Sequence, residues 1–303
     1  MKKYIRRVSV LFFCVSLLYL DTLSCPAGEE LSSIQIKKIE RGVEKLESQA
    51  RGTKRDGYRE LKNIGPDAVP YITEVLKKKD VEFETKVLAC NLLGEMDAKS
   101  AVPELIRALK NRSFKVRVAA CKALEEIADN AALPATVEAL GDEEPSVREA
   151  ALKALLVYGT DTVPAGALKL LDDSTESVRI ASAELMFAKS DPATAPALRK
   201  ALSEDRSPGV RAFAAKALGR IKDKDSLEIL IVSVTEDNDN GVRQASAAAL
   251  GETGDKKAIP ALITALKDNF KDVQLSALSS LKSLTGEDFG RDADKWSAWH
   301  EKQ

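Results

Sequence analysis

Five Val-Arg pairs constrain this chain more than any other feature. They fall at Val116-Arg117, Val147-Arg148, Val178-Arg179, Val210-Arg211 and Val242-Arg243, at steps of 31, 31, 32 and 32 residues. A fixed period of this length marks a solenoid, in which each unit contacts only its neighbours. Each unit reads as two short helices. The first carries V-R-x-x-A-x-x-A-L, as in Val242, Ala245, Ala249 and Leu250, a narrow apolar stripe of small residues at helical spacing. A turn with Asp follows, at Asp97, Asp129, Asp161, Asp191, Asp223 and Asp255. A carboxylate there suits a helix N-cap. The second helix has Pro near its start, at Pro70, Pro103, Pro134, Pro164, Pro196 and Pro260, where a missing N–H costs no bond.

One such hairpin cannot bury its own apolar face, so the units are stable only as a stack. The pattern resembles the HEAT repeat, in the short bacterial form first named from phycobilisome lyases. The resemblance implies an all-α solenoid of about seven to eight helical hairpins. The 303 residues then form one elongated domain rather than two globular ones. Residues 53–284 are expected to form the array. A capping helix is expected within 28–52, with Ile34, Ile36, Ile39, Val43 and Leu46 as its stripe. Residues 285–303 should close the other end, with Trp296 and Trp299 on adjacent helical turns as a lid. That tail looks like the ending of many exported bacterial HEAT-repeat proteins. Two local departures predict irregularity. Gly166 lies inside the second helix of unit four, and unit six has Glu228 for its proline and a β-branched run from Ile229 to Val234.

Residues 1–27 have the layout of a secretory signal peptide. Lys2, Lys3, Arg6 and Arg7 precede the apolar run Val8 to Leu20, and small residues follow. Cleavage after Ala27 or after Ser24 fits, and an uncleaved anchor is the alternative. Thr22-Leu23-Ser24-Cys25 resembles a lipobox, although Thr22 replaces the usual branched apolar residue, so Cys25 is a candidate for lipidation. The expected location is the periplasm or cell envelope, with membrane contact only through the leader or such a lipid anchor. Cys90 and Cys121 stand at equivalent places in adjacent first helices. Axes about 8–10 Å apart would hold them beyond disulfide reach, which favours buried thiols over a disulfide or redox pair.

Chemistry is sparsely signalled. The formal charge is −1, and loss of a leader with four basic and one acidic residue leaves −4. That balance argues against nucleic acid. The chain has one histidine, His300, next to Glu301. It cannot supply the several His-Glu pairs of the HEAT-repeat di-iron hydroxylases, and Asp and Glu at ligand spacing are lacking, so no metal or cofactor is expected. A nucleophile–histidine pair would have to use the tail. The arginines Arg117, Arg148, Arg179, Arg211 and Arg243 and the Asp series are read as a structural ladder, each Arg tied to the turn of the preceding unit. An anion-binding stripe is the alternative. The mid-helix positions of the second helices, expected on the concave face, read Glu74, Arg107, Glu138, Lys169, Lys200, Val232 and Thr264. They carry no single sign and no interleaved aromatics, unlike the groove of HEAT-like DNA glycosylases. The function expected is a monomeric, non-catalytic scaffold or adaptor binding a protein partner on that face. The alternative is a lyase- or chaperone-type accessory factor acting on an exported protein.

Overall fold

The computed structural model describes residues 31–303. The leader expected over residues 1–27, with Cys14 and Cys25, lies outside the described residues. Every regular element among the described residues is helical. Helix α1 (Ser33–Leu46) opens on a capping box. The Ser32 hydroxyl accepts from the Gln35 N–H at 3.3 Å, and the Gln35 side-chain oxygen accepts from the Ser32 N–H at 2.9 Å. Eight units follow. They are α2 (Arg51–Ile64) with α3 (Val69–Lys77), α4 (Phe83–Glu95) with α5 (Val102–Ala108), α6 (Phe114–Ile127) with α7 (Leu133–Ala139), and α8 (Pro145–Val157) with α9 (Ala165–Lys169). Then come α10 (Glu176–Lys189) with α11 (Ala195–Glu204), α12 (Pro208–Ile221) with α13 (Leu227–Glu236), α14 (Asn240–Thr253) with α15 (Ile259–Ala265), and α16 (Lys271–Thr285) with α17 (Ala293–His300).

From α4 to α16 each first helix packs on the next, and most second helices bed against the first helix of the following unit. The repeated valines hold this stack. Val116, Val147, Val178, Val210, Val242 and Val273 are all fully buried. In units one and two the equivalent residues are Lys54 and Thr85, and the stack turns polar there. Buried Lys54 Nζ donates to Thr85 Oγ1 at 2.9 Å and to Glu82 Oε2 at 2.7 Å, and Thr85 Oγ1 donates to the Leu46 carbonyl at 3.2 Å. A buried ammonium needs such partners.

Small residues let helices approach closely, most of all where α1 meets α2. A Cβ on Gly57 would stand 2.5 Å from the Leu46 nitrogen and 2.7 Å from the Gly42 carbonyl oxygen. Both are backbone atoms that cannot step aside. Gly57→Ala should therefore push α1 off the array at a cost of about 1–3 kcal/mol. The check is faster hydrogen exchange confined to α1 and α2. Gly52→Ala, with open space around it, is the control and should leave exchange unchanged.

First helices end abruptly because the next residue turns left-handed, as at Ala128, Ser190, Lys222 and Gly254. A single 3-10 turn then leads to the second helix. Asp129, Asp191 and Asp255 cap it, each accepting the N–H two residues on at 2.9–3.0 Å. The other three do not. Asp97 is itself the left-handed residue, with φ 47°. Asp161 lies in an irregular connection, and Asp223 takes a guanidinium instead, Arg199 Nη1 at 2.5 Å.

The expected irregularity of unit four is present. Helix α9 has five residues and decays into a 3-10 turn over Leu170–Asp172. That expected in unit six is absent, since α13 is an unbroken ten-residue helix. β-Branched residues lower helix propensity by only tenths of a kcal/mol, and burial of Leu230 and Val234 outweighs that. Helix α17 does more than cover the end. It packs on α15 as the eighth second helix. Trp296 is fully buried beneath it, edge-on to Phe289 at 4.9 Å, and its indole N–H donates to the Gly290 carbonyl at 2.8 Å. Trp299 is half-buried, 6.0 Å from Trp296.

Candidate functional site: the guanidinium ladder and the outer face of the second helices

The Val-Arg arginines point to the inter-unit turns. Arg179 grips Asp205 with two parallel bonds, Nε to Oδ2 at 2.8 Å and Nη2 to Oδ1 at 3.2 Å, and Nη1 donates to the Asp173 carbonyl at 3.0 Å. Arg117 does the same with Asp142 and the Asn111 carbonyl, Arg148 with Asp173 and the Asp142 carbonyl, Arg211 with Asp237 and the Asp205 carbonyl, and Arg243 with Asp268 and the Asp237 carbonyl. Each aspartate also accepts the N–H two residues on, such as Ser207 N to Asp205 Oδ1 at 2.7 Å. One turn thus offers its carbonyl to the arginine that follows and its carboxylate to the arginine of the unit before. The carbonyl bonds do reach the preceding turn. The carboxylates come from a second series, so Asp97, Asp129, Asp161, Asp191, Asp223 and Asp255 are not the arginines' partners. Those lie at the opposite ends of the first helices, a helix length from the guanidinium groups. The ladder runs out at both ends: Lys86 reaches the Leu76 carbonyl at 3.3 Å, and Gln274 the Asp268 carbonyl at 2.6 Å.

Every Arg fork is filled by protein acceptors, which leaves little for an anion. Its charge still shows in the carboxylates. The Arg243 guanidinium holds Asp268 below the usual carboxylate range. Burial pushes Asp173 and Asp237 up, but bonds from Arg148 and Arg211 and from the Thr175 and Asp239 N–H groups outweigh it and hold them low as well. Groups with depressed folded values contribute stability above the unfolded value, near 3.9 for Asp, and lose it as pH falls through the folded value. Urea midpoints should therefore change little from pH 7 to 5 with respect to these groups and fall steeply below about pH 4. In the Arg243→Gln variant the part of that fall due to Asp268 should vanish.

The mid-helix positions of the second helices all face outward. Glu74, Arg107, Glu138, Lys169, Lys200 and Thr264 are exposed, and Val232 is 50% exposed. Several are already paired. Glu74 meets Lys77 at 2.6 Å and Arg107 meets Glu104 at 2.5 Å within their helices. Lys110–Glu138 at 3.0 Å and Lys200–Asp172 at 2.9 Å bridge neighbouring units, as do Lys78–Glu47 and Lys267–Asp294 at the ends. Read one helix at a time, these charges look unpaired. Their partners stand a whole unit away, 27 to 31 residues along the chain. Thr264 turns its hydroxyl back to the Pro260 carbonyl at 3.1 Å. Lys169 and Val232 enter no such pair among the described residues.

The description of HEAT repeats matches residues 69–156, 103–188, 163–250 and 195–282. The chain belongs to the HEAT-repeat family. No curated protein matches it in sequence. Among solved structures it is similar to the Escherichia coli protein YibA, at 24% identity and a TM-score of 0.59, over 84% of this chain and 99% of that one. An engineered protein aligns at 18% identity and a TM-score of 0.55, over 83% and 79% of the two chains. Human deoxyhypusine hydroxylase aligns at 18% and a TM-score of 0.38, over 84% and 98%. For YibA and the engineered protein the likeness, at these identities, is one of fold.

The described residues of the HEAT array hold no group of three or more His, Cys, Asp or Glu that could bind a metal ion, and no helix long and apolar enough to cross a membrane. Cys90 and Cys121 are buried and free, and burial pushes each thiol up to about 12. His300 lines a cleft of about 300 Å³ with Pro260, Thr264, Lys267 and Glu301. A larger cleft, about 410 Å³, opens between the second helices of units four and five.

Proposed function

We propose that this HEAT-repeat chain is a non-catalytic scaffold of the bacterial cell envelope that binds a protein partner on the concave face of the solenoid, formed by the exposed side of its second helices. The supporting observation is the continuity of that face. Seven consecutive second helices present an exposed mid-helix residue at steps of 31 to 33 residues, a surface far longer than any of the clefts. Stacked repeats of this kind serve as extended binding surfaces. The envelope assignment rests on the leader pattern of residues 1–27. The mixed, mutually paired charges favour a partner recognised by shape and short apolar contacts over one drawn by a strong field.

The test is capture of proteins from the envelope fraction by the tagged full chain, compared with Lys169→Glu/Val232→Asp. Both positions are exposed, so stability should stay within about 0.5 kcal/mol. A specific protein retained by the parent and lost by the variant, at an unchanged melting temperature, is the expected result. Identical captured sets would place the contact elsewhere. Paired residues such as Glu138 and Lys200 are poorer probes, because reversing one charge also frees its neighbour.

A further inference from the structure

The apolar core of the array is not continuous. One buried cluster runs from Ile39 in α1 to Leu170 and includes Val178, Ala181 and Leu185 on one side of α10. A second begins at Leu171, takes Ala183 and Met186 from the other side of α10, and runs to Trp296. Half-buried Val163 packs against both. The division falls where the second-helix layer is weakest. Helix α9 is a turn and a half long, contains Gly166, has Pro164 at its N-cap rather than inside its first turn, and dissolves into the 3-10 turn Leu170–Asp172. The 410 Å³ cleft lies in the same seam, between that turn and α11, with Leu168, Leu171, Ala197 and Lys200 among its walls.

Beside the Arg179 fork, which ties Asp205 to the Asp173 carbonyl, and the contacts of Leu168 and Leu171 with the second cluster, what spans the seam is polar. Ser182 Oγ in α10 donates to the Ala167 carbonyl in α9 at 2.7 Å. Lys189 Nζ donates to the Tyr158 carbonyl at 2.7 Å, and the Val163 N–H donates to Asp191 Oδ2 at 3.0 Å. Lys200 and Asp172 face each other across the cleft, both well exposed. Water can replace such bonds at small net cost, whereas parting an apolar interface exposes surface. Repeat arrays lose cooperativity where the coupling between neighbouring units is weak.

We infer that the array consists of two cooperative blocks, α1–α9 and α11–α17, which share α10 and hinge at unit four, opening and closing the cleft between α9 and α11. The hinge sets how the two halves of the second-helix face are presented, and it needs no partner in order to be seen.

Hydrogen exchange of the full-length protein in rising urea tests this. Amides of α2–α8 and of α12–α16 should lose protection at two distinct urea concentrations, and residues 165–172 should exchange before either set. Gly166→Ala is expected to slow exchange of 165–172 about fivefold, the factor that corresponds to roughly 1 kcal/mol of helix propensity. It should also draw the two transitions together. Its added methyl meets only the flexible Leu140 side chain, at 3.3 Å. Ser182→Ala should move the transitions apart. Loss of protection at one shared urea concentration, or residues 165–172 as protected as α8, would overturn the hinge.

Discussion

Replacing Arg179 with Ala should cost about 3 kcal/mol or more, whereas Arg107→Ala should cost at most about 0.5. Both arginines make ion pairs, and burial decides between them. Arg179 and Asp205 have side chains 6% and 9% exposed, in a two-bond fork with a third bond to the Asp173 carbonyl. Arg107 is 73% exposed, and its pair with Glu104 lies within one helix. Truncation at Arg179 leaves the Asp205 carboxylate buried with only the Ser207 N–H as a partner and strips a carbonyl of its donor. Asp205→Ala should be as damaging, because it strands the guanidinium. Most of that loss reflects a stranded charge rather than the net worth of the pair. The double replacement Arg179→Met/Asp205→Leu should therefore recover much of the stability that either truncation loses. Urea midpoints of the parent, Arg179→Met, Asp205→Leu and the double replacement form the cycle. Additive losses would show that the fork is not the unit holding the turn.

The sequence disclosed those parts of the fold that stacking imposes on every unit. Val116 and its five counterparts must meet their neighbours at one depth, so they repeat at one period, and the prolines at the starts of the second helices repeat with them. Period fixes phase, but it does not say which of two phases touch. Two aspartate series share a step of 30 to 32 residues, and only contact geometry separates the three that cap 3-10 turns, Asp129, Asp191 and Asp255, from the five that receive the Val-Arg guanidinium groups. A signal was present. Asp142, Asp173, Asp205 and Asp237 each stand six residues before an arginine, and Asp268 six before Gln274. Repeats at so constant an offset mark one shared turn. The outer face was legible as a row of positions. Its pairing was not, since Lys110–Glu138 and Lys200–Asp172 join residues 28 apart. Gly166 and the β-branched run of unit six looked equivalent as local irritants. They differ because α13 has Leu230 and Val234 to bury along ten residues and α9 has only Ala167 fully enclosed along five.

Trp296→Ala should cost about 3–5 kcal/mol, the range for emptying a fully buried aromatic site. The loss should be larger than for Trp299→Ala, although both indoles belong to one helix. Trp296 has no exposed surface, donates its N–H to the Gly290 carbonyl and meets Phe289 edge-on. Trp299 keeps a face toward solvent. The cavity would lie between α17 and the units it covers. The adjoining Gly290 carbonyl would lose its donor. Terminal units of a stack shield the apolar face of the last full repeat, so the damage should spread backward. Exchange should accelerate first in α17, then in α15 and α16, while α4–α8 keep their protection. Trp296→Phe retains most of the volume and loses the N–H, so it separates packing from the Gly290 bond and should cost less than half as much as Trp296→Ala. Equal costs for Trp296→Ala and Trp299→Ala, or exchange that accelerates uniformly along all eight units, would show that the C-terminal helix does not close this stack.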